Sequence, residues 1–315
     1  MKQYILSLEE DSLNRAATLL KNNHLVAIPT ETVYGLAALS TSSVAVAKIY
    51  ALKTRPQFNP LICHVSSLYE AMTYGVFSSK AQALAKAFWP GPLTLVVPLK
   101  EPSPLSDLAT AGLKTIGLRV PMNDFVLKLI EKVGYPLAAP SANPSEHISP
   151  TTAEHVYKAF KNKSPLILDG GPSRIGLEST IIDMTQHDPV LLRAGGMSLE
   201  SIEETIGPVH PIIDDTIKAP GQLKRHYAPT KPMRLHVTKP LDHEGYLTFG
   251  PYGLQRQAPT LNLSESGDVN EAAYHLFSML RELDEGPAPA IAVHPIPLKG
   301  LGLAINDRLI RGASS

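Results

Sequence analysis

The chain has 315 residues, an apolar fraction of 43%, and 29 basic side chains against 29 acidic ones. That is enough apolar material for one large or two medium domains with packed cores, and it excludes a disordered chain. Zero net charge excludes long-range attraction to nucleic acid or to an anionic membrane, so any anion site must be a local cluster of cations.

The first ten residues carry one lysine, two glutamates and no signal-like apolar core, so the cytoplasm is the expected compartment. No apolar run is long enough for a bilayer. Cys63 is the only cysteine, which excludes an intrachain disulfide and a cysteine-based zinc site. It lies in an apolar run and reads as a small buried residue.

Short, β-branched or continuously apolar runs bounded by Gly, Pro or Asn predict strands over 25–28, 61–65, 93–98, 115–120, 137–139, 166–168, 179–183 and 190–193. Helices are predicted over 43–52, 79–88, 123–133, 152–160 and 199–206. In the third of these, Phe125, Leu129, Ile130 and Val133 fall on one face. The alternation is that of an α/β or α+β domain.

The stretch 208–232 has several prolines and few periodic apolar positions, so it reads as a linker. It holds the basic run Leu223-Lys224-Arg225-His226-Tyr227-Ala228-Pro229. Strands over 234–237, 245–249 and 290–293 and a helix over 270–283 then predict a small α/β unit that leans on the first domain.

Several loops concentrate polar groups. Pro29-Thr30-Glu31-Thr32-Val33-Tyr34-Gly35-Leu36 puts two hydroxyls, a carboxylate and a phenol at a strand end. A binding loop and a self-bonded strand–turn explain it equally well. Lys53-Thr54-Arg55-Pro56-Gln57-Phe58-Asn59-Pro60 holds two cations on a loop stiffened by two prolines. That suits a polyphosphate, although cations at a helix end also complement its dipole. His64 ends the next strand, and a lone histidine is more often structural than catalytic.

Arg119 and Arg193 lie inside apolar strands, where each must meet either a carboxylate or an anionic ligand. Together with Lys53 and Arg55 they favour one anionic ligand over four separate pairs. Ser141, Asn143 and Ser145 cluster after a strand. Ser149 fits the N-cap of the next helix with Pro150 in its first turn, and Thr151 with Glu154 offers another capping register. Asp169-Gly170-Gly171 and Gly176-Leu177-Glu178-Ser179-Thr180 would let backbone approach a ligand closely. The chain has no P-loop, no dinucleotide fingerprint, no Gly-x-Ser-x-Gly elbow and no His-x-x-x-His pair.

Taken in order, PTETVYGL, KTRPQFNPLICHV, GPLTLVV, TIGLRVP, PSANPSEHISPTTAEHV, LDGG, GLESTIID and LLRAG span most of residues 20–200. They resemble the threonylcarbamoyl-AMP synthase family with its YrdC-like domain. LKRHYAP and GLGLAINDRL resemble the long form of that family.

The resemblance implies an α/β fold. A YrdC-like, twisted, open α/β barrel with a large concave cavity would occupy 1–207. A linker over 208–232 would cover the cavity, and a small Rossmann-like α/β domain would occupy 233–315. It implies a nucleotidyltransferase that condenses L-threonine, bicarbonate and ATP to threonylcarbamoyl-AMP and pyrophosphate. Magnesium would be carried by the nucleotide, with no protein metal ligands. A separate transferase complex would pass the group to an adenosine beside the tRNA anticodon.

By motif position, Lys53 and Arg55 would be the catalytic cations. Thr32, His64, Arg119, Ala139 and Ser179 would hold threonine. Arg55, Asn59, Thr115, Ser141, Ser149, Arg193 and Tyr227 would hold the nucleotide. One departure is the second domain. Few residues separate its first two strands, too few for a crossover helix, and a proline-rich stretch over 287–297 precedes its tail.

Two other classes of function stay in view. Zero net charge and scarce aromatics weigh against an RNA-binding module, with weak RNA binding left open. The lack of zinc-finger-like and acylphosphatase-like companion domains weighs against a carbamoyltransfer enzyme.

Overall fold

The structure is a computed structural model that describes residues 3–212, 219–220, 226–251 and 256–314. The predicted basic positions Lys224 and Arg225 lie outside the described residues.

Strand β1 (Ile5–Ser7) and helix α1 (Glu10–Lys21) lead into β2 (Val26–Ile28) and β3 (Gly35–Leu39). Then come α2 (Ser43–Lys53), β4 (Ile62–His64), α3 (Leu68–Tyr74), α4 (Ser79–Phe88), β5 (Leu93–Pro98) and α5 (Asp107–Thr110). Next are β6 (Thr115–Arg119), α6 (Asp124–Val133), β7 (Leu137–Ala138), α7 (Ala153–Phe160), β8 (Leu166–Asp169), β9 (Thr180–Asp183), β10 (Val190–Arg193), α8 (Leu199–Ile206) and β11 (His210–Pro211). The eleven strands form one mixed sheet in the order β1-β8-β2-β3-β7-β4-β6-β5-β9-β10-β11.

Helix starts follow local chemistry. Ser42, Ser67, Ser78, Ser106, Asn123, Ser198 and, after the first sheet, Asp268 each accept a backbone N–H as N-caps. Ser149 does not cap α7. Thr152 does, accepting from the His155 N–H, so neither predicted register holds. The Ser149 hydroxyl is instead drawn to Glu178 Oε1 at 2.5 Å.

Side chains alternate across the strands and build two cores. Val26, Ile28, Leu166 and Leu168 pack with Leu13 and Leu20 of α1 and Leu129 and Ile130 of α6. The residues between them, Ala27 and Ile167, face a larger core with Ile49, Leu84 and Val156. On β4, β6 and β9 one set of alternate residues, Cys63, Leu118 and Ile182, enters that larger core. In the other set, Ile62, His64 and Arg119 line a concavity, and Ile181 lines a recess beside it.

The second sheet is all parallel, in the order β12 (Met233–Arg234), β15 (Ile291–Val293), β13 (Gly245–Thr248), β14 (Thr260–Asn262). Strand β15 lies between β12 and β13, and the short connection between those two holds no helix, as the sequence indicated. Helix α9 (Val269–Glu285) supplies the crossover into β15, and α10 (Gly302–Ala313) follows. The proline-rich stretch therefore contains a strand. No helix among the described residues is long and apolar enough to cross a membrane.

Helices α1, α3, α5 and α10 and strands β1, β3, β11 and β14 were missed as elements in the sequence. Val33, Ile148, Leu177 and Tyr227 share a core with Phe277, Leu276 and Ile305 of α9 and α10. The second unit thus completes its core on the first.

Candidate active site

The concavity has a volume of about 50 Å³ and opens to solvent. Of the predicted residues, Thr32, Arg55, His64, Arg119, Ala139, Ser141, Ser179, Arg193 and Tyr227 line it. They come from six strand ends or adjoining loops, from the loop after α2, which carries Arg55, and from the segment after residue 208.

Pairing of β4 with β6 sets His64 beside Arg119. The Arg119 guanidinium donates to Glu31 Oε1 at 2.6 Å, Thr32 Oγ1 at 3.0 Å and the Gly91 carbonyl at 3.1 Å. Arg119 therefore already has a buried carboxylate partner, as one of the two sequence readings allowed. Glu31 Oε2 is buried without a partner. His64 Nδ1 is likewise unpartnered. Burial, and secondarily the Arg119 charge, lower the His64 pKa to about 3, so its ring is neutral at physiological pH.

The other cations differ from Arg119. Arg193 donates to the Ser179 carbonyl at 2.9 and 3.1 Å, to Ser179 Oγ at 3.2 Å and to the Pro220 carbonyl at 3.3 Å. Arg55 donates to the carbonyls of Asn59 and Pro60 at 3.3 and 3.0 Å. Lys53 lies behind the wall and donates to the carbonyls of Ser141, at 2.6 Å, and Asn143. All three are buried, and none forms a salt bridge among the described residues.

Burial is the main reason their pKa values fall. Arg55 drops to about 10, with Arg193 adding to the shift, and Lys53 drops well below its usual value with Arg55 adding to it. Cations buried at such cost suit an anionic ligand. Thr54 ends α2 in the left-handed region (φ 53°) between Lys53 and Arg55. A β-branched residue there is strained, and strain of this kind concentrates at functional sites.

Four predicted residues are not on the wall. Lys53 supports it from behind. Asn59 is buried with neither its amide oxygen nor its amide nitrogen bonded, which is rare in the absence of a ligand role. Ser149 is buried on Glu178. Thr115 lines a neighbouring recess that shares Ile62 and Pro220 with the cavity. The Ala139 N–H is taken by the Ile62 carbonyl, so backbone help there can come only through its own carbonyl.

Sequence reasoning did not single out Glu178, His226 and Pro220, which also line the wall, or Arg308 behind them. For Arg308 a signal existed. It falls in phase with Ile305, Leu309 and Gly312, on the buried stripe of α10.

Tyr227 is buried with φ 62°, its ring stacked on Phe277 at 5.8 Å and its hydroxyl unpartnered. The segment is pinned on both sides. Ala228 N–H donates to the Glu146 carbonyl at 2.7 Å, and His226 N–H to the Arg311 carbonyl at 3.3 Å.

Two family profiles match the chain. The Sua5/YciO/YrdC profile, described as telomere recombination, covers residues 18–195, and a threonylcarbamoyl-AMP synthase C-terminal domain profile covers 197–314. Threonylcarbamoyl-AMP synthase of Pyrococcus abyssi is 41% identical over 96% of this chain and 94% of its own length. That of Bacillus subtilis is 40% identical over 98% and 94%. The crystal structure of P. abyssi Sua5 complexed with L-threonine superposes with a TM-score of 0.90 at 39% identity, covering 98% of this chain and 97% of that one.

Proposed function

The chain belongs to the Sua5/YciO/YrdC family in its long form, and on that premise we propose how its cavity performs threonylcarbamoyl-AMP synthesis. The enzyme is of nucleotidyltransferase type, and its fold and length match those of full-length relatives with that activity. In our reading it consumes L-threonine, bicarbonate and ATP and releases threonylcarbamoyl-AMP, pyrophosphate and water. The observation that carries this reading is a set of three buried cations, Arg55 and Arg193 on the cavity wall and Lys53 behind it, none of which has a salt-bridge partner among the described residues.

Threonine's amine attacks the carbon of bicarbonate, water leaves, and a carbamate forms. A carbamate oxygen then attacks the α-phosphorus of ATP, and the bond to pyrophosphate breaks. No side-chain nucleophile is required. The protein supplies orientation and fixed positive charge for the developing negative charge.

Arg55 and Arg193, with Lys53 behind, face the phosphates. Asn59, Thr115, Ser141 and Ser149 hold or support the nucleoside side, and Tyr227 covers it. At the other end Thr32, His64, Arg119, Ala139 and Ser179 receive threonine. Arg119 meets the substrate carboxylate by sharing or exchanging its bond to Glu31. Neutral His64 suits a hydroxyl partner such as the threonine side chain. A buried segment at 226–228 keeps water from the mixed anhydride.

No cluster of His, Cys, Asp or Glu fit to hold a metal ion occurs among the described residues. In this reading magnesium travels on the triphosphate. The product's destination is a transferase acting on tRNA, and the balanced net charge makes RNA binding by this chain itself at most weak.

The test is pyrophosphate release by the purified full-length protein with ATP and magnesium, omitting threonine or bicarbonate in turn. Release that needs both, with threonylcarbamoyl adenylate identified by mass, is expected. Release that ignores either substrate would sink the proposal and make salt-sensitive RNA binding the next measurement.

A further inference from the structure

Helix α10 belongs to the second unit, yet one of its side chains lies directly behind the catalytic cavity. Arg308 is 1% exposed. Its Nε donates to Glu178 Oε2 at 2.8 Å, its Nη2 to the Ala194 carbonyl at 2.9 Å and its Nη1 to Asp307 Oδ2 at 2.6 Å. Its Cζ also sits 4.7 Å from the centroid of the Tyr227 ring.

Glu178 and Tyr227 both line the cavity, and Glu178 is the one carboxylate among the described wall residues. Facing a triphosphate, an uncompensated carboxylate would repel the substrate. Ser149 and Arg308 occupy one Glu178 oxygen each, so both oxygens are engaged and the charge is matched. The same guanidinium presses on the face of Tyr227, an arrangement favourable to cation and ring alike.

The rest of α10 grips the segment too. The Arg311 carbonyl accepts from His226 N–H, and a Cβ on Gly312 would lie 3.0 Å from the Tyr227 carbonyl oxygen. A side chain there would push helix and segment apart by a few tenths of an ångström.

We propose that Arg308 is a positioning residue for nucleotide binding, through which the second unit neutralises Glu178 and holds Tyr227 over the cavity. The inference rests on the assignment of the nucleotide to this side of the cavity. It goes further by making the second unit part of the active site.

The experiment compares full-length wild type with R308M, R308K, E178Q and E178Q/R308M, measuring KM for ATP and threonine, kcat, and Tm. Wild type must first show ATP-, threonine- and bicarbonate-dependent pyrophosphate release; failure there overturns the reaction assignment, not the role of Arg308. Given active wild type, R308M is expected to raise the KM for ATP at least tenfold and leave the KM for threonine within about twofold. R308K should fall between, since lysine keeps the charge but cannot make the forked contacts. E178Q/R308M should recover part of the loss, because no bare carboxylate remains, and retain the part owed to Tyr227.

A purely structural role predicts a lower Tm and less active enzyme with both KM values unchanged, and that result overturns the proposal. Should R308M fail to fold, R308K and the charge-neutral double variant carry the same comparison, and an ATP KM within twofold of wild type in both overturns it equally.

Discussion

Arg55 shows how the site sets stability against function. Its guanidinium is buried on two carbonyls with no carboxylate partner among the described residues, so folding bears a desolvation cost that the carbonyls offset in part and a bound anion would offset further. Arg55→Met is expected to raise the KM for ATP about ten- to hundredfold. The same change should stabilise the ligand-free protein by on the order of 1 kcal/mol. Thermal melts with and without ATP check both halves; a variant that loses stability without ligand argues against a stored charge.

His64 makes a pH prediction with a definite sign. Its folded pKa of about 3 lies below the unfolded value near 6.5, and His155 shifts the same way to about 4, mainly through burial. The unfolded chain therefore binds more protons between these values. Stability is full above about pH 6.5 and falls as the pH drops towards 3, by up to about 1.4 kcal/mol per pH unit for each histidine. Denaturant melts from pH 7 to 5 should show the decline, and His64→Gln should make it shallower. Tyr227→Ala is expected to weaken ATP binding or to increase unproductive hydrolysis of the adenylate. Unchanged kinetics in that variant would remove the covering role.

Among the elements, the loop that enters β9 matters most, because it carries Glu178 and Ser179 on the cavity and touches α9 on its other side. Gly176 has φ 79°, and a Cβ there would lie 2.5 Å from the Ala273 carbonyl oxygen in α9. Gly176→Ala adds left-handed strain to a backbone clash, so a loss of at least about 2 kcal/mol is expected in urea unfolding. A variant as stable as wild type would mean that α9 yields easily and that this junction is loose. Helix starts and strand alternation were legible because they rest on neighbouring residues, as Ser42, Ser78 and Asn123 show. Ser149 was misread for the same reason. Its sequence neighbourhood suits a cap, and a carboxylate 29 residues away takes its hydroxyl.

At the scale of the whole molecule, one core runs through both units, from Val33, Ile148 and Leu177 to Leu276, Phe277 and Ile305. The small parallel sheet leaves part of its apolar surface to be covered by the first unit, in line with the limited core that some 80 residues can form. Calorimetry of the full-length protein is expected to show a single transition, coincident by fluorescence and circular dichroism. Two well-separated transitions would show that the shared core contributes little to cooperativity.

The sequence by itself determined the mixed α/β architecture, the ordered motifs, and nine residues of the cavity wall, including Thr32, His64, Arg119 and Arg193. Seven of the nine sit at strand ends, which local periodicity locates, but their assignment to one site is what the family motifs implied, as it is for Arg55 after α2 and Tyr227 beyond residue 208. The tertiary structure alone decided the pairing. It gave Arg119 to Glu31, gave Lys53, Arg55 and Arg193 no carboxylate partner among the described residues, and set Arg308 against Glu178 and Tyr227. These partners lie as much as 130 residues apart, and chain spacing carries no information about which buried charges meet. That outcome depends on which strands pair and which helix covers the opening, and so on the packing of the whole chain.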